Sequence, residues 1–528
     1  MKKLLIFALT LVFQYGLVAQ PKPKTIVKKA NTIQTTKKAT TQSTQKVETT
    51  PKISPFSSTK EEYDITVIVK GLEKGKNAYL GYYFGDKQYL IDTVQVQDNG
   101  VVRFKRAKKL HGGMYLFVTH DIQYFEFIID SVQKFTLKTD TSLGMVGNMQ
   151  VFGSIDNERF FSYLKSMEQF RKDAEELKEK VEQGKGKEKE FAQKQLDDLD
   201  GKIKSYQKNF KSARPGELFV KMLNGNEDVD MSGFPNKSNG SYDTLAQFYY
   251  YKSHYWDKVD FRDERLLYTP VYHKKMSRYF EDLVFQTPDS IIPETDWFIG
   301  EIGTQPDLFK YTVHYLTNKY EKSEIMGMDR VFVHLGKKYY LTGRATWMDE
   351  TAMAKFKDRI TTLEYNLIGI NGMELNLPDS SEKLRSLYAV KAPITILVFW
   401  NPDCGHCQKE IPMLYKLWNG IKDNGVAVYA VNTEFDKNLW TKFIREKGLN
   451  GWTNVHDIKV THNFRKWYDV YSTPVVYLMD ADKKILAKRI AADQIEGYLK
   501  NYYSKELKRT WKDSGIDPKT LKTEGGDH

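Results

Sequence analysis

ITILVFWNPDCGHCQKEIP, residues 394–412, is the stretch that decides the fold. Its first seven residues, 394–400, are apolar apart from Thr395, the pattern of a strand buried on both faces inside a parallel sheet. A helical pattern follows. A strand running into a helix puts Cys404 at the helix N-terminus, where unpaired backbone amides and the helix dipole stabilise a thiolate. Two intervening residues bring Cys407 one turn behind it. The first thiol can then attack a substrate disulfide, and the second can resolve the mixed disulfide that results. His406 adds a further means of stabilising the thiolate, whereas the adjacent charge of Asp403 raises the thiol pKa, so the sequence leaves the reduction potential open.

Cys404 and Cys407 are the only cysteines in 528 residues. A structural disulfide gains most by closing a long loop, and this pair closes almost none. A zinc site needs two further ligands, for which only the distant His456 and His462 are at hand on this segment.

The surroundings of the pair resemble the thioredoxin superfamily, in particular its TlpA/ResA-like group of exported proteins, often filed beside the AhpC/TSA family. Trp400, four residues before Cys404, matches the family tryptophan on the central strand. Pro412 matches the proline of the active-site helix, and Thr473-Pro474, ahead of a strand at 475–480, matches the family's cis-proline. Glu410, three residues after Cys407, matches the acid that the group uses as a proton acceptor. The buried acid of ordinary thioredoxins would fall on Val398, which cannot titrate. The resemblance implies a thioredoxin fold over residues 365–505 and a thiol-disulfide oxidoreductase. Its implied catalytic residues are Cys404, Cys407 and Glu410, with His406 and Asp403 tuning the thiolate and Trp400, Thr473 and Pro474 contacting substrate. In the family, the cis-proline edge lets a substrate peptide add as a short strand. The sequence departs from the group at Asp403, where tryptophan is common, and at Gly405-His406, which is similar to protein disulfide isomerases. Direction of catalysis therefore stays open.

No glycine-rich nucleotide fingerprint follows a strand, so no cofactor is expected and electrons should come from a partner. The resemblance suggests a membrane donor of DsbD or CcdA type for a reductase, or an oxidant of DsbB type for an oxidase. Substrates would be disulfide-bonded or thiol-containing envelope proteins.

At the other end, Lys2 and Lys3 precede an apolar run from Leu4 to Val18 that closes on Ala19, the pattern of an export signal cleaved after residue 19. No cysteine stands at that cut to carry a lipid, so the expectation is an exported periplasmic or envelope protein, not a lipoprotein, with no spanning segment after cleavage. The formal net charge of +12 raises nucleic acid as a partner. Yet Lys2, Lys3 and the nine lysines of residues 21–60, set against the single acid Glu48, carry most of that surplus, and the remainder is nearly neutral. A nucleic-acid partner is thus not expected. Residues 20–60, rich in Thr, Lys, Gln and Pro, read as a disordered tether.

Alternation at Tyr63, Ile65, Val67 and Val69 begins a series of strand-like runs at 78–84, 89–97, 101–105, 113–119, 124–129 and 134–139. Turn signals such as Asp98-Asn99-Gly100 separate them, predicting a small antiparallel β-sandwich over 61–150. From Asn157 to Ser212 the period turns helical, with Gly184 and Gly186 marking a charged hairpin. An aromatic-rich, mostly helical region then runs to 355, and a charged tail occupies 506–528. The expected whole is a multidomain α+β protein: a small antiparallel β domain, a mostly helical domain (151–355) with a charged helical hairpin, and a C-terminal α/β thioredoxin fold. His254, Asp257, Asp260 and Asp263 could be drawn as a metal site, but without a cysteine or second histidine at ligand spacing none is expected. The domain order, with GSIDN at 153–157 and HYWDKVDFRDERLLYTPVY at 254–272, also resembles multidomain secreted thioredoxin-like proteins of Bacteroidetes-type bacteria.

Two other functions compete. A thiol peroxidase of AhpC/TSA type would carry Thr or Ser three residues before its reactive cysteine, where this chain has Asn401. An envelope binding protein with an incidental redox pair would be indifferent to loss of both thiols.

Overall fold

The structure, a computed structural model, describes the strand Phe56–Ser57 and residues 63–521 other than 141, 143, 233 and 235–242. The export signal and almost all of the tether lie outside the described residues. The chain forms two compact units, one of residues up to Val284 with Gly300–Tyr311, the other of Phe285–Ile299 with the chain from Thr312 onward. Among the described residues, no helix is long and apolar enough to cross a membrane.

The first unit opens with the predicted sandwich. Strands β1 (Tyr63–Lys70), β2 (Asn77–Phe84), β3 (Lys87–Gln95), β4 (Val101–Arg106), β5 (Gly113–Val118), β6 (Tyr124–Ile129), β7 (Lys134–Asp140) and β8 (Gln150–Phe152) make two four-stranded sheets, ordered β8-β7-β1-β4 and β3-β2-β5-β6. The alternating residues Tyr63, Ile65, Val67 and Val69 are all fully buried, which is why period two was visible. The turn before β4 needs Gly100: its φ is +72°, and a Cβ there would lie 2.0 Å from the Val69 carbonyl oxygen. Antiparallel pairing holds except between β1 and β7, which run parallel. The chain spends β5 and β6 in the other sheet and so re-enters the first from the end where β1 began.

Helices α1 (Ile155–Gln183) and α2 (Lys187–Ala213) form the predicted hairpin, joined at Gly184–Gly186. Its anchor explains the GSIDN stretch. Ser154 caps α1 by accepting from the Asn157 N–H, and the fully buried Asn157 amide accepts from Ile128 N at 2.8 Å and donates to Ile128 O at 2.7 Å. Helix and sheet are thus stitched at one side chain. In the aromatic region, Tyr255, Trp256, Tyr268 and Tyr272 are core residues. Asp260 and Asp263 close on the ammonium of Lys221 at 2.9 and 2.6 Å, and Asp263 also pairs with Arg265, so these carboxylates bind cations of the chain itself.

In the second unit a five-stranded sheet carries the dithiol. Its strands are β9 (Ile394–Trp400), β10 (Val426–Asn432), β11 (Thr453–His456), β12 (Val475–Met479) and β13 (Ile485–Lys488), ordered β11-β10-β9-β12-β13. β9 is parallel to β10 and antiparallel to β12. Helices α3 (Gly405–Ile421), α4 (Lys437–Lys447) and α5 (Ala492–Tyr502) complete the thioredoxin architecture. Every residue of β9 is buried because both faces are covered: Ile394, Ile396, Val398 and Trp400 enter one core cluster, Leu397 and Phe399 the other. Burial of each such side chain contributes about 1.5–3 kcal/mol.

This unit reaches beyond both expected edges of the domain. Upstream, the buried Lys488 pairs with Asp329 and donates to Asn366 Oδ1 at 2.7 Å, while Arg359 reaches Asp469 at 2.6 Å. Downstream of residue 505, Trp511 packs edge-on against Tyr503 at 4.9 Å, and Leu521 is buried in the core on the α3 face.

Candidate active site

The dithiol sits where the sheet ends. β9 delivers the chain at Trp400 into a tight turn in which Cys404 N donates to Asn401 O (3.1 Å) and Asp403 N donates to Asn401 Oδ1 (2.7 Å). Cys404 is the residue that caps α3, and Cys407 lies in its first turn. Both thiols are free; Cys404 is half-buried and Cys407 has no exposed surface. Cys404 Sγ lies 3.3 Å from the carbonyl oxygen of Thr473, to which it donates as a thiol, and the Thr473-Pro474 bond is cis. Across the turn, Asn401 N donates to Cys407 Sγ at 3.4 Å.

The two thiols differ in acidity. Partial burial pushes Cys404 upward, but hydrogen bonds from the Cys407 and His406 backbone N–H groups and from the Thr473 and Cys407 side chains outweigh it, and the thiol falls below its ordinary 9.0. Burial dominates at Cys407 and pushes it up to about 12, with the Asn401 N–H pulling the other way. One thiol is primed as a nucleophile. The other is held in reserve until the first is bonded.

A family model of the AhpC/TSA family matches residues 352–488. Two domains of unknown function match upstream, DUF4369 at residues 63–160 and DUF5106 at 240–366. The chain is 26% identical over 136 residues to the thiol-disulfide oxidoreductase ResA of Bacillus thuringiensis, covering 25% of this chain and 77% of the relative. Among solved structures, a domain of a possible thiol-disulfide isomerase from Cytophaga hutchinsonii is 41% identical, with 27% of this chain and 97% of that one covered and a TM-score of 0.26. A thioredoxin-like protein from Bacteroides caccae is 20% identical over 52% of this chain and 97% of its own, with a TM-score of 0.40. Over residues 352–488 the chain is TlpA/ResA-like, of the thioredoxin superfamily. By class it is a thiol-disulfide oxidoreductase.

On this TlpA/ResA-like scaffold, most of the residues singled out from sequence stand at the dithiol. Glu410 is half-buried on α3, three residues past Cys407 and therefore on its side of the helix. His406 and Asp403 are exposed beside Cys404. Trp400 is a correction: it was expected to contact substrate, yet it is fully buried, with its ring 5.0 Å from that of Phe443, and so forms the floor beneath the turn. His456 and His462 have other neighbours. His456 is buried against Trp440, and His462 Nε2 accepts from Asn376 N.

Sequence reading missed Glu434 altogether and saw Asn401 only as a departure from the peroxidase pattern. Asn401 Nδ2 donates to Glu434 Oε2 at 3.0 Å, linking the cysteine turn to the chain just past β10. The signal was present in VNTEFD, residues 431–436, a strand end followed at once by an acid. It needed the parallel register of β9 and β10, which pairs Trp400 with Asn432, to acquire meaning.

Proposed function

We propose that the protein is an exported oxidoreductase that reduces or isomerises disulfide bonds in envelope proteins through the Cys404-Cys407 dithiol. The observation that carries this reading is the asymmetry of the pair: an accessible, acidified Cys404 at a helix start, hydrogen-bonded to the Thr473 carbonyl, with a shielded Cys407 one turn behind. Cys404 attacks a substrate disulfide as a thiolate, forming one S–S bond while the second substrate sulfur leaves as a thiolate. Cys407 then loses its proton and attacks Cys404 Sγ, and the first substrate sulfur leaves. Two electrons pass from the dithiol to the substrate.

Within this reading Glu410 accepts the Cys407 proton, His406 and Asp403 set the acidity of Cys404 in opposite senses, and Thr473-Pro474 gives the substrate chain a backbone edge. The apolar start of the sequence supports export, and a DsbD- or CcdA-type donor or a DsbB-type oxidant would return the dithiol to its working state. The β-sandwich (61–150) and the part of the helical segment (151–355) that lies outside the thioredoxin unit are proposed as a substrate-binding or spacing module.

The test is the reduction potential of the couple in the purified mature protein, by equilibration in defined thiol buffers and counting of alkylated thiols. A value near about −270 mV makes the protein a reductant, and one of about −120 to −180 mV makes it an oxidase or isomerase. A pair that does not cycle between dithiol and disulfide would overturn the proposal.

A further inference from the structure

The turn that carries Cys404 is fastened to the sheet at a point the exchange chemistry has not yet used. Asn401 serves the dithiol twice through its backbone: its carbonyl accepts from Cys404 N and its N–H donates to Cys407 Sγ. Its side chain is fixed at both ends, Oδ1 by Asp403 N and Nδ2 by Glu434 Oε2. Glu434 is itself braced. Its Oε1 accepts from Phe435 N at 2.8 Å and Asp436 N at 3.4 Å. The Asn432 amide accepts from Glu434 N at 3.0 Å and donates to Glu434 O at 2.8 Å. Thr433 N donates to Trp400 O at 2.9 Å just beneath. The backbone N–H of Phe435 and the other bonds it receives hold the Glu434 carboxyl below its ordinary 4.5, so it is an anion at neutral pH.

We infer that Glu434 is a positioning residue for the resolving half of the reaction: by clamping the Asn401 side chain it holds the Asn401 N–H on the sulfur of Cys407. The inference rests on the exchange chemistry proposed above and adds a residue to it. In the resolving step the Cys407 S–H bond breaks and its proton goes to a carboxylate or water. The sulfur lone pair forms the bond to Cys404 Sγ, and the Cys404–substrate S–S bond breaks with its electron pair leaving on the substrate sulfur. Cys407 has no exposed surface, so a thiolate there cannot be stabilised by bulk water. A donor already aimed at the sulfur is what lowers that barrier, and Asn401 N–H is in place. Cys404 does not share this dependence, because its thiolate draws on the backbone amides at the start of α3 and on the Thr473 side chain.

The two steps separate with Ellman's reagent on the full mature protein. Attack by Cys404 releases one thionitrobenzoate and leaves the other as a mixed disulfide, and attack by Cys407 releases the second. In Glu434→Ala the second phase should slow about tenfold, the scale of one lost charge-assisted hydrogen bond, while the first changes by less than about twofold. Glu434→Gln keeps an acceptor for Asn401 Nδ2 and should recover the second phase to within about threefold of wild type. A second phase unchanged in Glu434→Ala, or two phases slowed alike, would overturn the assignment and leave Glu434 a residue of the fold. A wild-type protein that releases only one equivalent would instead overturn the exchange reading beneath it, whatever the variants do.

Discussion

Alkylation of the two thiols as a function of pH tests the asymmetry on which the site depends. At pH 8, a thiol held at about 12 is ionised in about one molecule in 10,000, whereas one below 9.0 is ionised in at least about one in ten, a ratio of about 1,000. The more basic thiolate is the better nucleophile, and a Brønsted slope of about 0.45 across three pH units returns a factor of about 20 to Cys407. The net preference for Cys404 is therefore about 50-fold, before the complete burial of Cys407 widens it. Brief exposure of the reduced protein to iodoacetamide, followed by mass spectrometry of the two modified positions, measures it. The Cys404 rate should climb about tenfold per pH unit and level off below pH 9, while the Cys407 rate keeps rising. Equal labelling at pH 8, or a Cys404 rate still climbing through pH 9.5, would refute the reasoning.

Three further outcomes follow from the scaffold. Asn157→Ala leaves the buried N–H and C=O of Ile128 without partners and should cost about 3 kcal/mol in urea unfolding followed by aromatic fluorescence; a loss under about 1 kcal/mol would mean that α1 docks without this anchor. Lys488→Met strands the Asp329 carboxylate and should cost about 3–5 kcal/mol, whereas the double variant with Asp329→Leu should regain most of it, a difference that a double-mutant cycle reads directly. Burial holds His456 below its ordinary 6.5, so the unfolded chain binds the extra proton and stability falls as pH drops from 6.5 toward the folded value. In His456→Phe, the drop in Tm between pH 7.5 and 5.5 should shrink, and parallel Tm curves for the two proteins would remove His456 as a source of that dependence.

The sequence carried the thioredoxin domain well because physics marks it twice. A strand covered on both faces must be apolar throughout, as 394–400 is, and a CxxC at the following helix start has few other uses. The sandwich was visible for a similar reason, since one buried face per strand imposes period two on Tyr63 through Val69. The parallel β1–β7 pairing was not visible, because alternation records which face is buried and nothing about which neighbour lies alongside. Trp400 was misread because a tryptophan near a catalytic cysteine suits a floor or a wall equally well, and only its lack of exposed surface decides between them. Glu434 stands 30 residues from Cys404 and becomes part of the site only through strand register. Lys488 and Asp469 would read as surface charges in any window; their partners Asp329 and Arg359 are more than a hundred residues away in sequence.

The most direct test of the central claim is capture of the reaction intermediate. The Cys407→Ser variant should retain the attacking thiol and lose the resolving one, so incubation with a disulfide-bonded protein substrate should accumulate a mixed disulfide on Cys404 that mass spectrometry locates and excess dithiothreitol releases. Wild-type protein under the same conditions should hold little of that adduct and should yield reduced substrate with a Cys404–Cys407 disulfide. Absence of any adduct on Cys404 in the variant, with no reduced substrate from the wild type, would contradict the account.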